Sequence, residues 1–514
     1  RIGTNVAAIV ANNALQKSQN NLSTSIERLS SGYKINGSKD DAAGCAISEK
    51  MRAQIRGLSQ AQNNTADGVS VLNTAEGAIT EIQSMLTRLK ELSVQAANDV
   101  NSDDEREAIQ KEIEQINNEI DRISDQTEFN TQSLINGNLS RRVYSDLQGV
   151  NQLSVSDSYT AGVYGITVTE DARQAIAVGA GSITMSSTAS ITKEQAGAIN
   201  INGYKISISE GDTLDKVMGK IIDGVNITGG SAFTVKDLNN DTAANGTDYA
   251  GYVPTADYAG STLVIMTNQY GSDQKMNITC DNAELADILG IPQAATQDGI
   301  YVEGSDVKAE IATGDDGKRI GFADSAILST KGTVITVTDV NNKEFSMDVP
   351  GNAAGTVFDD SNNDGQSAAG AGTARTISQE VTDVGTMSIH VGANQDQVIV
   401  IDIPAITTYS LGTEHMNVMT QYTASRAIST VDEAINKTNK IRSRIGAYEN
   451  RFDHTTNNLE VSSENLTKSL STMIDTDMSE EMTTYTSETV LTQAATSILA
   501  QANERPSQVL QLLQ

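Results

Sequence analysis

A chain of 514 residues is long enough for roughly two to four domains, but with 4 % aromatic residues and no tryptophan it lacks the material for a thick aromatic core. Thin helical bundles and small sheets are expected instead. The formal net charge of −30 excludes nucleic acid and anionic membrane as partners, because both require a basic face.

No run of about eighteen apolar residues is present, so no segment reads as membrane-spanning. The start Arg1-Ile2-Gly3-Thr4-Asn5 lacks the apolar stretch of a Sec-type signal, and export is expected to use another route. Leu15, Leu22, Ile26, Leu29 and Tyr33 then recur on one side of a helix, which needs a partner. After a Gly-bearing break between Ser31 and Gly44, Ile79, Ile82, Leu86 and Leu89 repeat the rhythm of threes and fours. A third helix is predicted to open at Ser102, where Ser102 and Glu105 have capping-box spacing and Asp103 and Asp104 suit the positive helix end. Its seam is Ile109, Ile113, Ile116, Ile120 and Ile123.

From about residue 145 to 385 the sequence changes to short β-rich runs such as Thr333-Val334-Ile335-Thr336-Val337, separated by Gly, Asn and Asp clusters. Pro254, Pro292, Pro350 and Pro404 fall in or near this stretch, with only Pro506 elsewhere. The helical pattern then resumes. Ile428, Val431 and Ile435 lead through Ile441, Ile445, Tyr448, Phe452, Leu459 and Leu466 to Leu470 and Met473. Past Asp475 a thinner stripe of Met478, Met482, Tyr485, Val490, Ala494 and Ile498 continues before Val509, Leu512 and Leu513.

Long seams at both ends with a β-rich insert predict an α+β chain. Its terminal helices pair antiparallel as a coiled coil and bundle rod, and its insert forms one or two outer domains. The expected division is 1–40 with 476–514 as a terminal coiled coil, 41–145 with 386–475 as a helical rod with a β-hairpin, and 146–385 as the insertion. The outermost seams are so thin that those segments are expected to order only when neighbouring copies cover them.

Chemistry-bearing constellations are sparse. His390, His415 and His454 sit in unrelated contexts, with no nucleophile or metal arrangement around them, so neither catalysis nor a cofactor is implied. Asp360, Asn362, Asp364 and Gly365 imitate half of a calcium loop, but position twelve is Ala371, and a solvated turn is the better reading. Cys45 and Cys280, far apart, read as two unpaired thiols. Arg88, Leu92 and Gln95 form a stripe beside the Ile79/Leu86/Leu89 seam, and Glu112 lies beside Ile109 and Ile113.

Several blocks resemble the flagellin family. They are Leu29-Ser30-Ser31-Gly32-Tyr33-Lys34-Ile35-Asn36, Lys39-Asp40-Asp41-Ala42-Ala43-Gly44-Cys45-Ala46-Ile47-Ser48 and Gln126-Thr127-Glu128-Phe129-Asn130. At the other end are Arg444-Ile445-Gly446-Ala447-Tyr448-Glu449-Asn450-Arg451-Phe452 and the run from Gln493 to Asn503. Within the insert, Ile199-Asn200-Ile201-Asn202-Gly203 with Gly211-Asp212-Thr213-Leu214 resembles a small repeat of flagellin and hook-associated protein inserts. Two departures are Cys45, where flagellins carry a small or aliphatic residue, and the Val391 to Asn394 hairpin, which follows the insert rather than preceding it.

The resemblance implies a secreted, extracellular subunit, not an enzyme, that polymerises with itself into the flagellar filament, with a hook-filament junction protein as the rival reading. It implies packing seams at Leu22, Ile26, Leu29, Ile109, Ile113, Ile116, Leu459, Leu466, Leu470 and Ile498. Implied partners are hook-associated proteins, the filament cap and an export chaperone that holds the C-terminal helix. Arg88, Leu92 and Glu112 match positions read by the Toll-like receptor of innate immunity, with Leu92 as an exposed apolar anchor.

Overall fold

The computed structural model describes residues 5–512 apart from 157–158, 180, 236–257, 259, 292–298, 315–316, 340–342, 352–357, 360–367, 370–373 and 383. The half calcium loop, Asp360 to Ala371, lies outside the described residues. The helices are α1 (Val6–Ser31), α2 (Ala42–Ala96), α3 (Asp103–Gln126), α4 (Leu214–Ile227), α5 (Ala283–Ile288), α6 (Thr408–Leu411), α7 (Gln421–Ile474) and α8 (Met478–Leu512). The chain divides into two compact units, one of Arg1–Val69, Ile389–Ile399 and Glu449–Gln514, the other of Ser70–Ser388 and Val400–Tyr448, and α2 and α7 each run through both.

In the first unit α1 starts on Asn5, whose side chain accepts from the Ala8 N–H, and stops on Gly32 in the left-handed conformation. The block after it is a chain reversal held by its own polar residues. The Asp40 carboxylate accepts from the Asn36 and Gly37 N–H groups, and Asp41 accepts from Ala43. A Cβ at Gly44 would come within 2.7 Å of the Ile35 side chain and 2.5 Å of the Asp41 carboxylate, so a larger residue there would make both side chains move. The Lys34 N–H donates to Ile474 O at 2.6 Å and the Thr476 N–H donates to Gly32 O at 3.0 Å, so this reversal meets the break between α7 and α8. Farther along, Leu58, Ala61 and Leu459 form a small core, with Ala393 and Leu466 against it. Phe452 is fully buried beside Gly68, where even a methyl group would sit 3.0 Å from the ring.

In the second unit Leu72, Ile79, Ile82, Leu86 and Leu89 of α2 are buried as their spacing predicts. So are Val431, Ile445 and Tyr448 of α7, and Lys90–Asp432 and Gln83–Asn439 contacts link these helices antiparallel. The α3 capping box is present, with Ser102 and Glu105 bonded reciprocally. Its buried face differs from the expected seam. Ile109, Ile113 and Ile120 are buried, but Ile116 and Ile123 are only half-buried, and Asn117 and Ser124 occupy the centre of the face. The helix repeats every 3.6 residues, so over five turns the inward line drifts off a strict heptad. Asn117 donates to Thr413 O, Ser124 to Ile135 O, and Arg106 to Ala96 O and Asn98 O, while the Asn117 side-chain oxygen is left without a partner.

Among the described residues the insert holds a small core of Val178, Phe233, Val264 and Met266 and two large ones. In one, a four-stranded antiparallel sheet ordered Lys308–Ile311, Gly162–Glu170, Arg375–Val381, Val143–Ser145 shares its interior with a second ordered Ile327–Lys331, Val334–Thr338, Glu344–Asp348, Asn151–Val155. Although aromatics are scarce, Tyr159, Tyr164, Phe322 and Phe345 gather here with ring centroids 5.1 to 6.0 Å apart. The other core lies between the sequence halves of the first. It packs α4 and α5 on the sheet Ile300–Glu303, Lys275–Cys280, Gly197–Ile201, Tyr204–Ile208. Helix α4 was not expected in a stretch read as strands and turns. Its signals were a Thr213 N-cap and the buried set Leu214, Val217, Met218, Ile221 and Val225. Cys280 is buried and Cys45 half-buried, both as free thiols.

Candidate assembly surfaces

The pairing of α1 with α8 begins from two heptad lines. On α1 the covered positions are Ala11, Leu15, Ser18, Leu22, Ser25 and Leu29; on α8 they are Glu481, Tyr485, Glu488, Thr492, Ala495, Leu499 and Ala502. Polar links fix the antiparallel register along its length. Asn5 donates to Ala502 O at 2.8 Å, Asn21 to a Glu488 carboxylate oxygen at 2.9 Å, and Arg28 pairs with Glu481 at 3.6 Å. The seam mixes Leu15, Leu22, Leu29, Tyr485 and Leu499 with small and polar side chains, and only Ala11 and Ser25 of α1 are fully buried.

Other large apolar side chains stay outside the seam. Val6, Ile9, Val10 and Ile26 of α1 and Met478, Met482, Val490, Leu491 and Ile498 of α8 are about half exposed or more. Val6, Ile9 and Val10 share one helix face, and Leu491 and Ile498 another, by their spacing. Met482, Val490 and Leu491 also line a shallow groove with Thr483, Thr486 and Ser487. Ile26 and Ile498 therefore belong to an outward stripe rather than to the internal seam, in which Leu22 and Leu29 are half-buried. On α1 apolar spacing found the inward line at Leu15, Leu22 and Leu29, and on α8 it found Met478, Met482, Val490 and Ile498 of the outward stripe; the Ala, Ser, Thr and Glu positions of the seam carried no hydrophobic signal. Of the rod positions, Ile109, Ile113 and Leu459 are buried, whereas Ile116, Leu466 and Leu470 are half-buried.

Arg88 and Glu112 are exposed and paired at 2.8 Å, with Arg88 also donating to Glu91 at 3.1 Å. The Glu112 carboxylate, then Glu91, holds the Arg88 guanidinium above its usual range. Leu92 is not the exposed anchor expected of it: only 1 % of it meets solvent. Arg88, Leu92 and Ala96 follow one another at intervals of four on α2. Both outer members meet α3, Arg88 through Glu112 and Ala96 through Arg106, so Leu92 between them is covered by the returning helix. Gln95, off that line, is exposed.

No helix among the described residues is long and apolar enough to cross a membrane. A model of the bacterial flagellin N-terminal helical region matches residues 2–140, and one of the C-terminal helical region matches residues 428–513. Over its whole length the chain is 32 % identical to a flagellin of Salmonella typhimurium and 30 % identical to polar flagellin A of Vibrio parahaemolyticus, covering 99 % of each. Among solved structures, flagellar hook-associated protein-3 of Legionella pneumophila is 12 % identical over 83 % of this chain and 98 % of that one, with a TM-score of 0.28. FliC of Burkholderia pseudomallei is 14 % identical over 75 % and 99 %, at 0.22, and scores this low carry no structural argument.

Proposed function

The chain belongs to the bacterial flagellin family and is a structural subunit of the extracellular flagellar filament; we propose that its contacts with neighbouring copies run along the outward stripes of α1 and α8. The observation that carries this reading is the split of those helices into a thin inward seam and an outward row of Val, Ile, Leu and Met. Burying such side chains stabilises by about 1.5–3 kcal/mol each when fully exposed beforehand. At roughly half exposure, nine of them supply on the order of 10 kcal/mol per subunit, enough to offset the ordering of two thinly held helices.

In this reading 1–40 with 476–514 lines the inside of a tube, 41–145 with 386–475 forms the surrounding wall, and 146–385 decorates the surface. Ile109, Ile113 and Leu459 hold the wall within a subunit, while Ile26 and Ile498, with Leu466 and Leu470 where half-exposed, face neighbours. The protein has no catalytic role. A chaperone would hold the apolar stripe of α8 before export, and hook-associated and cap proteins would meet the same stripes at the filament ends. Arg88 and Glu112 remain available to a Toll-like receptor, with Leu92 shaping the ridge from beneath. Electron microscopy of purified protein tests the assembly: the parent should form long filaments and carboxylates on the outward stripe should abolish them. Filaments unaffected by such changes would place the contacts elsewhere.

A further inference from the structure

On the sheet carrying α4, the strands Lys275–Cys280 and Ile300–Glu303 pair so that Asn277 lies opposite Tyr301 and Lys275 opposite Glu303. Met276 and Ile278 point into the core, so these four alternate residues make the outer face. The Asn202-Gly203 turn sits beside it, both residues left-handed, with Asn202 donating to Lys275 O at 3.2 Å and accepting from the Asn277 N–H at 2.8 Å. Tyr204 follows the turn. With Asp103 at the start of α3 and Tyr422 at the start of α7, these residues enclose a cavity of about 330 Å³.

We propose that this cavity binds a neutral oligosaccharide. The charges present argue against other small ligands. A cation would compete with Lys275, which is paired to Glu303 at 2.8 Å and lies 5.7 Å from the Tyr301 ring centre. An anion would meet Asp99 and Asp103, and the nearby Arg106 already donates to Ala96 O and Asn98 O. Three tyrosine rings and the side-chain amides of Asn277 and Gln421 remain, since the Asn202 amide is spent on Lys275 O and the Asn277 N–H. The Tyr301 hydroxyl donates to Glu303 at 2.8 Å, which leaves its ring face. Tyrosine offers a rigid apolar face for the C–H side of a pyranose and a polar tip for its hydroxyls, at little conformational cost. Tyr301 is 51 % exposed, and among the described residues the Tyr204 and Tyr422 hydroxyls have no hydrogen-bond partner in the chain. Burial raises the Tyr204 and Tyr422 phenols, which keeps both as neutral donors. The cavity is at the small end of ligand pockets, roughly 300–1,000 Å³, and fits a short stretch of glycan.

The test is titration of the full-length monomer with chitotriose and with maltotriose. Saturation-transfer NMR and intrinsic fluorescence, which comes from tyrosine in a chain without tryptophan, report binding. At least one sugar should bind with a dissociation constant of about 1 mM or below, and Tyr301→Ala and Asn277→Ala should each weaken it about tenfold. Tyr144→Ala, an exposed tyrosine on the other core, should leave it unchanged. Melting curves guard against misfolding, and Tyr422→Phe, which keeps the ring, gives a third readout. The proposal is overturned if neither sugar binds below about 10 mM, or if Tyr301→Ala and Asn277→Ala bind like the parent. It is overturned equally if choline or inorganic phosphate, and not sugar, binds with that sensitivity.

Discussion

Replacing Ile498 or Val490 with Asp separates the outward stripe from the inward seam. Ile498 is 57 % and Val490 59 % exposed in the single chain, so a neighbour covering either one recovers about half of a full burial, roughly 1 kcal/mol. An aspartate there forfeits that gain and must either lose water at a further cost of about 2–4 kcal/mol or push the neighbour away. The combined loss of about 3–5 kcal/mol corresponds to a rise of more than 100-fold in the concentration needed to polymerise, at a factor of ten per 1.4 kcal/mol. In the monomer both side chains face solvent, so the same changes should alter stability by no more than about 0.5 kcal/mol. Seeded polymerisation followed by light scattering and sedimentation over a concentration series measures the first quantity, and circular dichroism melts measure the second. Ile498→Ala should raise the threshold only a few-fold. Threshold concentrations for both aspartate variants within about threefold of the parent, with unchanged melts, would refute the stripe as a subunit contact.

Leu92→Ala should destabilise the second unit by about 2–5 kcal/mol, as for a buried leucine, and lower its thermal midpoint. Arg88→Ala and Glu112→Ala should leave that midpoint in place while weakening Toll-like receptor signalling by soluble monomer, and silence from the parent protein would remove the receptor reading. Asp212 is held well below the ordinary aspartate range by donors from Lys216, then Lys220 and the Ser209 N–H. Its folded pKa is lowered, so its stabilisation is present above the unfolded value of about 3.9 and fades as pH falls from there toward the folded value. Acid unfolding of the α4 core should therefore lose part of its pH dependence in Asp212→Asn, and identical acid curves would contradict this. Finally, the Thr382 N–H donates to Arg142 O and the Arg142 N–H to Val384 O, so a short Gly linker can join 142 to 382. The shortened protein should be exported and form thinner filaments; export without filaments would make the insert part of the assembly contacts.

Regular side-chain periodicity made the rod legible in sequence, because burial of Ile79, Ile82, Leu86, Leu89, Ile109 and Ile113 is what that periodicity encodes. The capping box at Ser102 was legible for the same kind of reason, since two residue types at fixed spacing satisfy orphan helix donors whatever surrounds them. The α1–α8 pairing was misread in one respect. On α8 the large apolar residues Met478, Met482, Val490 and Ile498 are water-facing in the lone chain, while the contact that exists joins Leu15, Leu22 and Leu29 of α1 to a line of Tyr485, Leu499, Ala, Thr and a Glu488–Asn21 pair. The burial of only Ala11 and Ser25 on α1 shows how little holds this pair in a lone chain.

Leu92 failed for a different reason: a helix face can be assigned from one helix only when no second helix returns over it, and the return of α3 is a tertiary fact. The insert was harder still. Its strand spanning Val334–Thr338 follows from β-branched residues bounded by turns, but which strands pair is decided by contacts such as Gln379 with Ser145, more than two hundred residues apart in sequence. Those pairings place the edge of the paired insert at Val143 and Val381, before 146 on one side and short of 385 on the other. A boundary drawn at a change of composition, near 146 and 385, approximates an edge that backbone hydrogen bonds define, and a deletion from 146 to 385 would remove the whole strand Arg375–Val381 on which Val143–Ser145 pairs.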